Sequence, residues 1–188
     1  MVQDSIDQQK FGEPLRDFAL PTLSGTSATL SATLAGKKGA VVVVWSSTCS
    51  HCLRYDKYLN AFESRHPELS LTVVSARVGE SLESAIRAAS QRKLGFRILH
   101  DPTSFVAKQW YTQQTPRAFL MDADRKLLYR GAIDNFRFPE DPEYINYLEP
   151  AISQFLGGSA VARPEVTSYG CSIQSVYYNL PRVFTSAR

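Results

Sequence analysis

Apolar residues recur along this chain at two spacings, and the change from one to the other marks out the elements. Residues 41–45 (Val-Val-Val-Val-Trp) form an unbroken, mostly β-branched apolar run. With no polar alternation, it predicts a central strand covered on both faces. Between 50 and 64, Tyr55, Tyr58, Leu59 and Phe62 fall at steps of three and four, which is one face of a helix. His66-Pro67 ends it, because the residue before a proline is pushed out of the helical region. Residues 71–78 predict a second strand. Ser81 is a candidate N-cap for a second helix with the stripe Leu82, Ala85, Ile86 and Ala89, stopped by Gly95. A short strand over 96–99 and a short helix over 103–111, carrying Phe105, Val106 and Trp110, follow. Strands over 118–121 and 126–132 flank a turn at 122–125. Ile145, Leu148, Ile152 and Phe155 mark a last helix that ends at Gly157-Gly158. Ahead of all this, short extended pieces over 11–23 turn at Ser24-Gly25 and pair back through 28–30.

The order β-α-β-α-β-α-β-β-α argues for an α/β fold. Its mixed central sheet has a parallel portion, helices on both faces and an antiparallel hairpin at one edge. The expected organisation is a loose leader over 1–10, one domain over 11–158, and a tail over 159–188 packed on that domain. The chain has 188 residues, 44% hydrophobic and 21% charged, which suits one domain with a sizeable core and excludes wholesale disorder. A net charge of +3 with no basic block gives no case for nucleic acid. No apolar stretch approaches the roughly 18 residues of a membrane span. The polar start is not a signal peptide. The expected site of action is extracytoplasmic if a signal or anchor has been removed ahead of it, and cytoplasmic otherwise.

The chemistry is concentrated where the apolar strand ends, in Cys49-Ser50-His51-Cys52. A strand fixes the first sulfur at the sheet edge, and a helix start stabilises a thiolate there. The two-residue gap puts the second sulfur within disulfide range on the first helical turn. Metal is the competing reading. One C-x-x-C supplies two ligands of the four that a closed structural zinc site needs. Only Cys171 and three histidines, His51, His66 and His100, remain, and none sits at finger-like spacing. The expectation is therefore a redox pair, with no metal and no organic cofactor.

With Trp45, the Cys49–Cys52 motif, and Thr115-Pro116 directly before the strand over 118–121, the chain resembles the thioredoxin fold. Within it, residues 11–158 are similar to the redoxin branch of TlpA/ResA-like proteins. An N-terminal β extension and an inserted strand-helix unit belong to that likeness, as does the hairpin ending in Gly131. The resemblance implies thiol–disulfide exchange with protein thiols and with a redox partner not yet identified. Cys49 would be the exposed nucleophile and Cys52 the buried resolving thiol. Pro116 would be cis and lie against the sulfurs, and Thr115 would offer its backbone to an extended substrate strand. His51 occupies a position where the periplasmic disulfide-oxidase class also has histidine, which implies support for the Cys49 thiolate. The element Thr167-Ser168-Tyr169-Gly170-Cys171-Ser172-Ile173 resembles a T-x-x-G-C-x-I tail of some redoxin-domain proteins, making Cys171 a candidate third thiol.

Three departures from plain thioredoxin stand out: Val43 where a buried acid is usual, Ser50-His51 between the cysteines, and Thr48 before the first cysteine. Two alternatives accompany the main reading. A thiol peroxidase of the peroxiredoxin-related type would need a proline where Val42 stands, although Ser46 fits its pattern. A copper-handling module would use Cys49, Cys52 and a histidine such as His100. The charged residues Arg54, Lys57, Glu63, Arg65, Glu83, Arg87 and Arg92 are expected to be solvated. The aromatic residues are expected in the core and in an apolar rim near the site.

Overall fold

The computed structural model describes residues 9–174. Most of the expected leader and the tail beyond 174 therefore lie outside the described residues. An N-terminal hairpin, β1 (Ala19–Pro21) and β2 (Ser27–Thr29), pairs antiparallel. It leads into a one-turn helix, α1 (Leu30–Leu34), which the sequence reading did not separate; Thr29 caps it by accepting from the Ala32 N–H at 3.1 Å.

The central sheet has five strands: β3 (Gly39–Trp45), β4 (Leu69–Ser75), β5 (Ile98–His100), β7 (Arg117–Asp122) and β8 (Leu127–Gly131). Their spatial order is β5-β4-β3-β7-β8. The first three run parallel, and β7 and β8 are antiparallel additions. This is the thioredoxin-like α/β arrangement. Side chains alternate across a strand, so β3 divides two apolar layers. Val41, Val43 and Trp45 join Tyr55, Leu59, Phe62 and Ile152 on one face. Ala40, Val42 and Val44 join Phe18, Leu30, Trp110 and Phe119 on the other. Every residue of β3 is buried, which is why the run tolerates no polar residue.

The expected helix over 50–64 is three short pieces, α2 (Ser50–Leu53), α3 (Asp56–Asn60) and α4 (Phe62–Arg65). At the first break the Tyr55 N–H bonds the Cys52 carbonyl, three residues back instead of four, which tightens the turn. The apolar face survives the breaks because Tyr55, Leu59 and Phe62 remain buried. Helix α5 (Leu82–Gln91) starts as expected, with Ser81 Oγ accepting from the Ser84 N–H. Its packing face differs: Ala85 and Ala88 are buried, whereas Ile86 is exposed. Small residues let the helix lie close to its neighbours. Lys93, at φ 53°, leads the chain out of it, ahead of Gly95.

Strand β5 and α6 (Phe105–Gln109) form the inserted strand-helix unit. Asp101, just after β5, accepts from the Phe105 and Val106 amides and so caps α6. The last helix, α7 (Leu148–Leu156), begins after Ile145, which is exposed in the preceding loop. Pro150 falls in its first turn, where a missing N–H costs nothing.

Beyond α7 the chain returns across the sheet. The Arg130 N–H donates to the Pro164 carbonyl and the Val166 N–H donates to the Arg130 carbonyl. Gly131, at φ 151°, makes this crossing possible, since a Cβ there would lie 2.3 Å from the Val166 carbonyl oxygen. Strand β9 (Cys171–Ser172) then pairs antiparallel with β6 (Gln114–Thr115). Ile173 is buried in the second apolar layer and anchors it. Among the described residues no helix is long and apolar enough to cross a membrane.

Candidate redox site

The site assembles where three chain segments meet: the end of β3, the bend before β7, and β9. Cys49 is the N-cap of α2, in extended conformation, and Cys52 lies within that helix's single turn. The Cys52 N–H donates to the Cys49 carbonyl at 3.0 Å, closing the motif. Thr115–Pro116 is cis, and the Cys49 sulfur lies 3.3 Å from the Thr115 carbonyl oxygen. The proline is thus beside the sulfur pair.

The two thiols are electrostatically unequal. The Cys49 thiol is lowered to about 4, chiefly by hydrogen bonding from Cys52 and then from Cys171, which together outweigh its burial. Cys52 is pushed well up by burial first and by the neighbouring Cys49 sulfur second. One sulfur therefore carries the charge and the other keeps its proton, the division a nucleophile and a resolving thiol require. All three cysteines are free thiols here.

One expectation needs correction. Cys49 is not an exposed nucleophile: its relative exposure is 0%, the same as that of Cys52. Cys171 reaches the site from the far end of the chain. Its sulfur, the Cys49 sulfur and a His51 ring nitrogen all lie within 4.8 Å of one another. His51, for its part, directs its Nδ1 to the Cys171 sulfur at 3.6 Å, and its ring packs on Phe136 with centroids 4.8 Å apart. Its hydrogen bond is to the third thiol and not to Cys49.

Redoxin is the family whose model matches this sequence, over residues 10–148. The chain belongs to the Redoxin family. This redoxin therefore stands among the thiol-based oxidoreductases, a group that spans thiol–disulfide and peroxidase-like members. It shares its fold with a hypothetical protein of Sinorhizobium meliloti, at 27% identity and TM-score 0.77 over 87% of this chain and 93% of that one. An uncharacterised conserved protein of Geobacillus kaustophilus gives 22% identity and TM-score 0.78 over 90% and 94%. A candidate thiol:disulfide interchange protein DsbE of Chlorobium tepidum gives 22% and 0.59 over 65% and 85%. No curated protein matches the chain.

Around the redoxin's thiols, several charged side chains are engaged by the fold where the sequence pattern suggests solvent. Glu80 is buried, 6% exposed, behind the loop that leads to Cys49. It accepts from the Ser46 hydroxyl, from the Ser47 N–H at 2.9 Å and from the Ser75 hydroxyl at 2.6 Å. A carboxylate is thus buried in the vicinity although Val43 replaces the usual acid. The serine hydroxyls at Ser46 and Ser75 were the signal, since buried hydroxyls need partners. Arg92, expected in solvent, forks onto Asp56, donates to the Ser47 carbonyl at 3.2 Å and lies 5.1 Å from the Trp45 ring centroid. It ties α5 to the loop before Cys49 and to α3. Arg54 likewise bonds the Phe136 and Arg137 carbonyls and the buried Asp134. Glu63 accepts from the Leu71 N–H, and Arg65 pairs with Glu149. Trp45 is wholly buried under the site.

The one group of three metal-type donors among the described residues is Cys49, His51 and Cys171. His100 is not part of it; it is buried in β5, opposite Ser75. An apolar rim does exist: Leu53, Phe136, Phe138 and Tyr169 are exposed, and Phe136 and Tyr169 line a small hollow with Pro116.

Proposed function

We propose that this redoxin exchanges disulfides with protein thiols through the pair Cys49 and Cys52. The observation that carries the reading is the unequal pair at the start of α2, beside the Thr115 carbonyl. Cys49, as thiolate, attacks one sulfur of a partner disulfide. The partner's other sulfur leaves as a thiolate and takes up a proton. Cys52 then loses its proton and attacks the Cys49 sulfur. The mixed disulfide breaks, and the partner departs reduced. The opposite direction runs the same steps backwards.

Thr115 and Pro116 shape the edge on which the partner strand lies, Trp45 floors the loop, and His51 and Cys171 bound the site opposite. The rim of Leu53, Phe136, Phe138 and Tyr169 suits an extended or unfolded chain. The reaction requires neither metal nor organic cofactor. A second redox protein must restore the starting state in whichever compartment the protein works. A peroxidase route finds less support, because the Ser46 hydroxyl is committed to Glu80 and not to Cys49.

The test is the Cys52→Ser/Cys171→Ser double variant, which keeps Cys49 and removes both neighbouring thiols that could release an adduct from it, offered oxidised protein substrates. It should accumulate mixed disulfides through Cys49, with the wild type showing a defined Cys49–Cys52 potential in glutathione buffers. Trapping by Cys49→Ser instead would reverse the roles. Failure of the Cys49–Cys52 disulfide to form at any potential would end the reading.

A further inference from the structure

The same edge that would receive a partner strand is already filled by this chain. Thr115 pairs with Cys171 and Gln114 with Ser172, in antiparallel register. That is how an extended peptide adds to an exposed strand: backbone pairing supplies affinity and the side chain supplies specificity. The side chain here is a thiol. It sits beside the Cys49 sulfur, in the group whose ligand atoms all lie within 4.8 Å.

Three further features hold the strand in place. Gly170 permits the approach, since a Cβ there would lie 1.9 Å from the Thr115 carbonyl oxygen and 3.3 Å from Pro116 Cδ. Ile173 is buried, and its backbone is bonded on both sides. Its N–H donates to the Gln113 carbonyl at 3.0 Å, and its carbonyl accepts from the Val78 N–H at 3.0 Å. His51 Nδ1 meets the Cys171 sulfur. With the strand docked, Cys49 has no exposed surface.

We propose that β9 is an internal client: it occupies the Thr115 edge and presents Cys171 to Cys49 as a third exchanging thiol. The step is an isomerisation. Starting from the Cys49–Cys52 disulfide, the Cys171 thiol loses its proton and its sulfur attacks Cys49. The Cys49–Cys171 bond forms, the Cys49–Cys52 bond breaks, and Cys52 leaves as the thiolate and takes up a proton. Electrons balance without an outside oxidant. Burial raises the Cys171 thiol first and the neighbouring Cys49 sulfur second; with Cys49 in a disulfide the second cause is gone and burial alone still opposes the charge. The Ser50 and His51 amides at the start of α2 work against that burial and favour a Cys171 thiolate. A protein substrate can use the same edge only after β9 has left it. The inference rests on Cys49 being the exchanging thiol.

The experiment maps disulfides. Wild-type protein is equilibrated in glutathione buffers of graded potential, quenched in acid, alkylated and digested without reductant. Both Cys49–Cys52 and Cys49–Cys171 peptides are expected. Cys52→Ser, oxidised with diamide at low protein concentration, should give a monomer joined through Cys49–Cys171. Cys171 alkylated in full at every potential, together with only intermolecular or glutathione adducts of Cys49 in Cys52→Ser, would overturn the proposal. Absence of Cys49–Cys171 alone refutes the internal client, whereas absence of Cys49–Cys52 in the wild type refutes the dithiol reading itself. As a second measure, Gly170→Val should drive β9 off the edge. Iodoacetamide should then modify Cys49 faster by roughly tenfold, the effect of losing about one strand hydrogen bond. Circular dichroism checks that the variant is folded. An unchanged rate in the folded variant would mean that the strand does not cover Cys49.

Discussion

Thr115 and Cys171 face each other across an antiparallel backbone pair, and the Thr115 carbonyl oxygen lies 3.3 Å from the Cys49 sulfur. Three things meet at one peptide unit: the position of the Cys49 sulfur, the edge along which β9 pairs, and the burial of that sulfur.

Exchange should depend on the two motif thiols in different ways. Cys49→Ser should lose activity to background in an insulin-reduction assay. Cys52→Ser combined with Cys171→Ser should start the reaction and stall, so that non-reducing gels show a covalent adduct that dithiothreitol removes. The difference follows from charge, since the sulfur at the helix cap is the thiolate and the one inside the turn is protonated.

Reactivity should track a thiolate already formed at neutral pH. Absorbance at 240 nm in the reduced protein should titrate near 4, far below the free thiol value of about 8.5. Alkylation of Cys49 should therefore vary little with pH above neutrality and fall as the solution is acidified through that value. Stability follows the same linkage. The folded pKa is depressed, so the unfolded chain binds the extra proton between about 4 and about 8.5. The reduced protein should gain stability as pH rises through that window and lose it as pH falls toward 4. The Cys49–Cys52 oxidised protein should lack this component. Urea midpoints at pH 5 and 7 in both redox states measure it.

Cys171→Ala should raise the Cys49 pKa, because after Cys52 it is the next group whose hydrogen bond holds the thiol down. His51→Ala should have a smaller effect of the same sign, acting through the placement of Cys171 at 3.6 Å. Thiolate titrations of the two variants decide the order. A larger shift in His51→Ala would put the histidine in direct control of Cys49.

Glu80→Ala should be among the more damaging substitutions outside the cysteines. It leaves the Ser46 and Ser75 hydroxyls and the Ser47 N–H without their acceptor. Unpaired buried donors cost about 1–3 kcal/mol each, less whatever water recovers. A loss of about 2–4 kcal/mol is expected in urea unfolding, with slower exchange because the loop before Cys49 loses its anchor. Glu80→Gln, which keeps one carbonyl acceptor, should cost less.

Arg92→Lys tests the tie between α5 and the loop before Cys49. A lysine cannot fork onto Asp56 while reaching the Ser47 carbonyl. A cost of about 1 kcal/mol is expected, discounted for partial exposure of the pair, measured as a fall in the urea midpoint.

Local features of this protein were legible in the sequence because their causes are local. The Val41–Val44 run demands burial on both faces, and β3 supplies it. C-x-x-C places two sulfurs on one turn regardless of what surrounds them. Ser81 caps its helix through an amide three residues on, and Asp122 organises the hairpin turn by accepting from Asp124 and Lys126. The family motifs around Pro116 marked the cis bond beside the sulfurs. Tertiary structure decided the remainder. Tyr55, Tyr58, Leu59 and Phe62 give the same stripe whether the helix is continuous or broken, so the breaks at Arg54–Tyr55 and Ala61 left no trace in the pattern. Arg92 and Glu80 look like surface charges because sequence spacing does not report which neighbours will pair with them; burial of Ser46, Ser75 and Trp45 around them does. Cys171 meets His51 across 120 residues. No periodicity encodes that meeting. It requires Gly131 and Gly170 to let the tail backbone press against the sheet, and a buried Ile173 to anchor it, so whether Cys49 is open or covered was settled only when the chain folded back on itself.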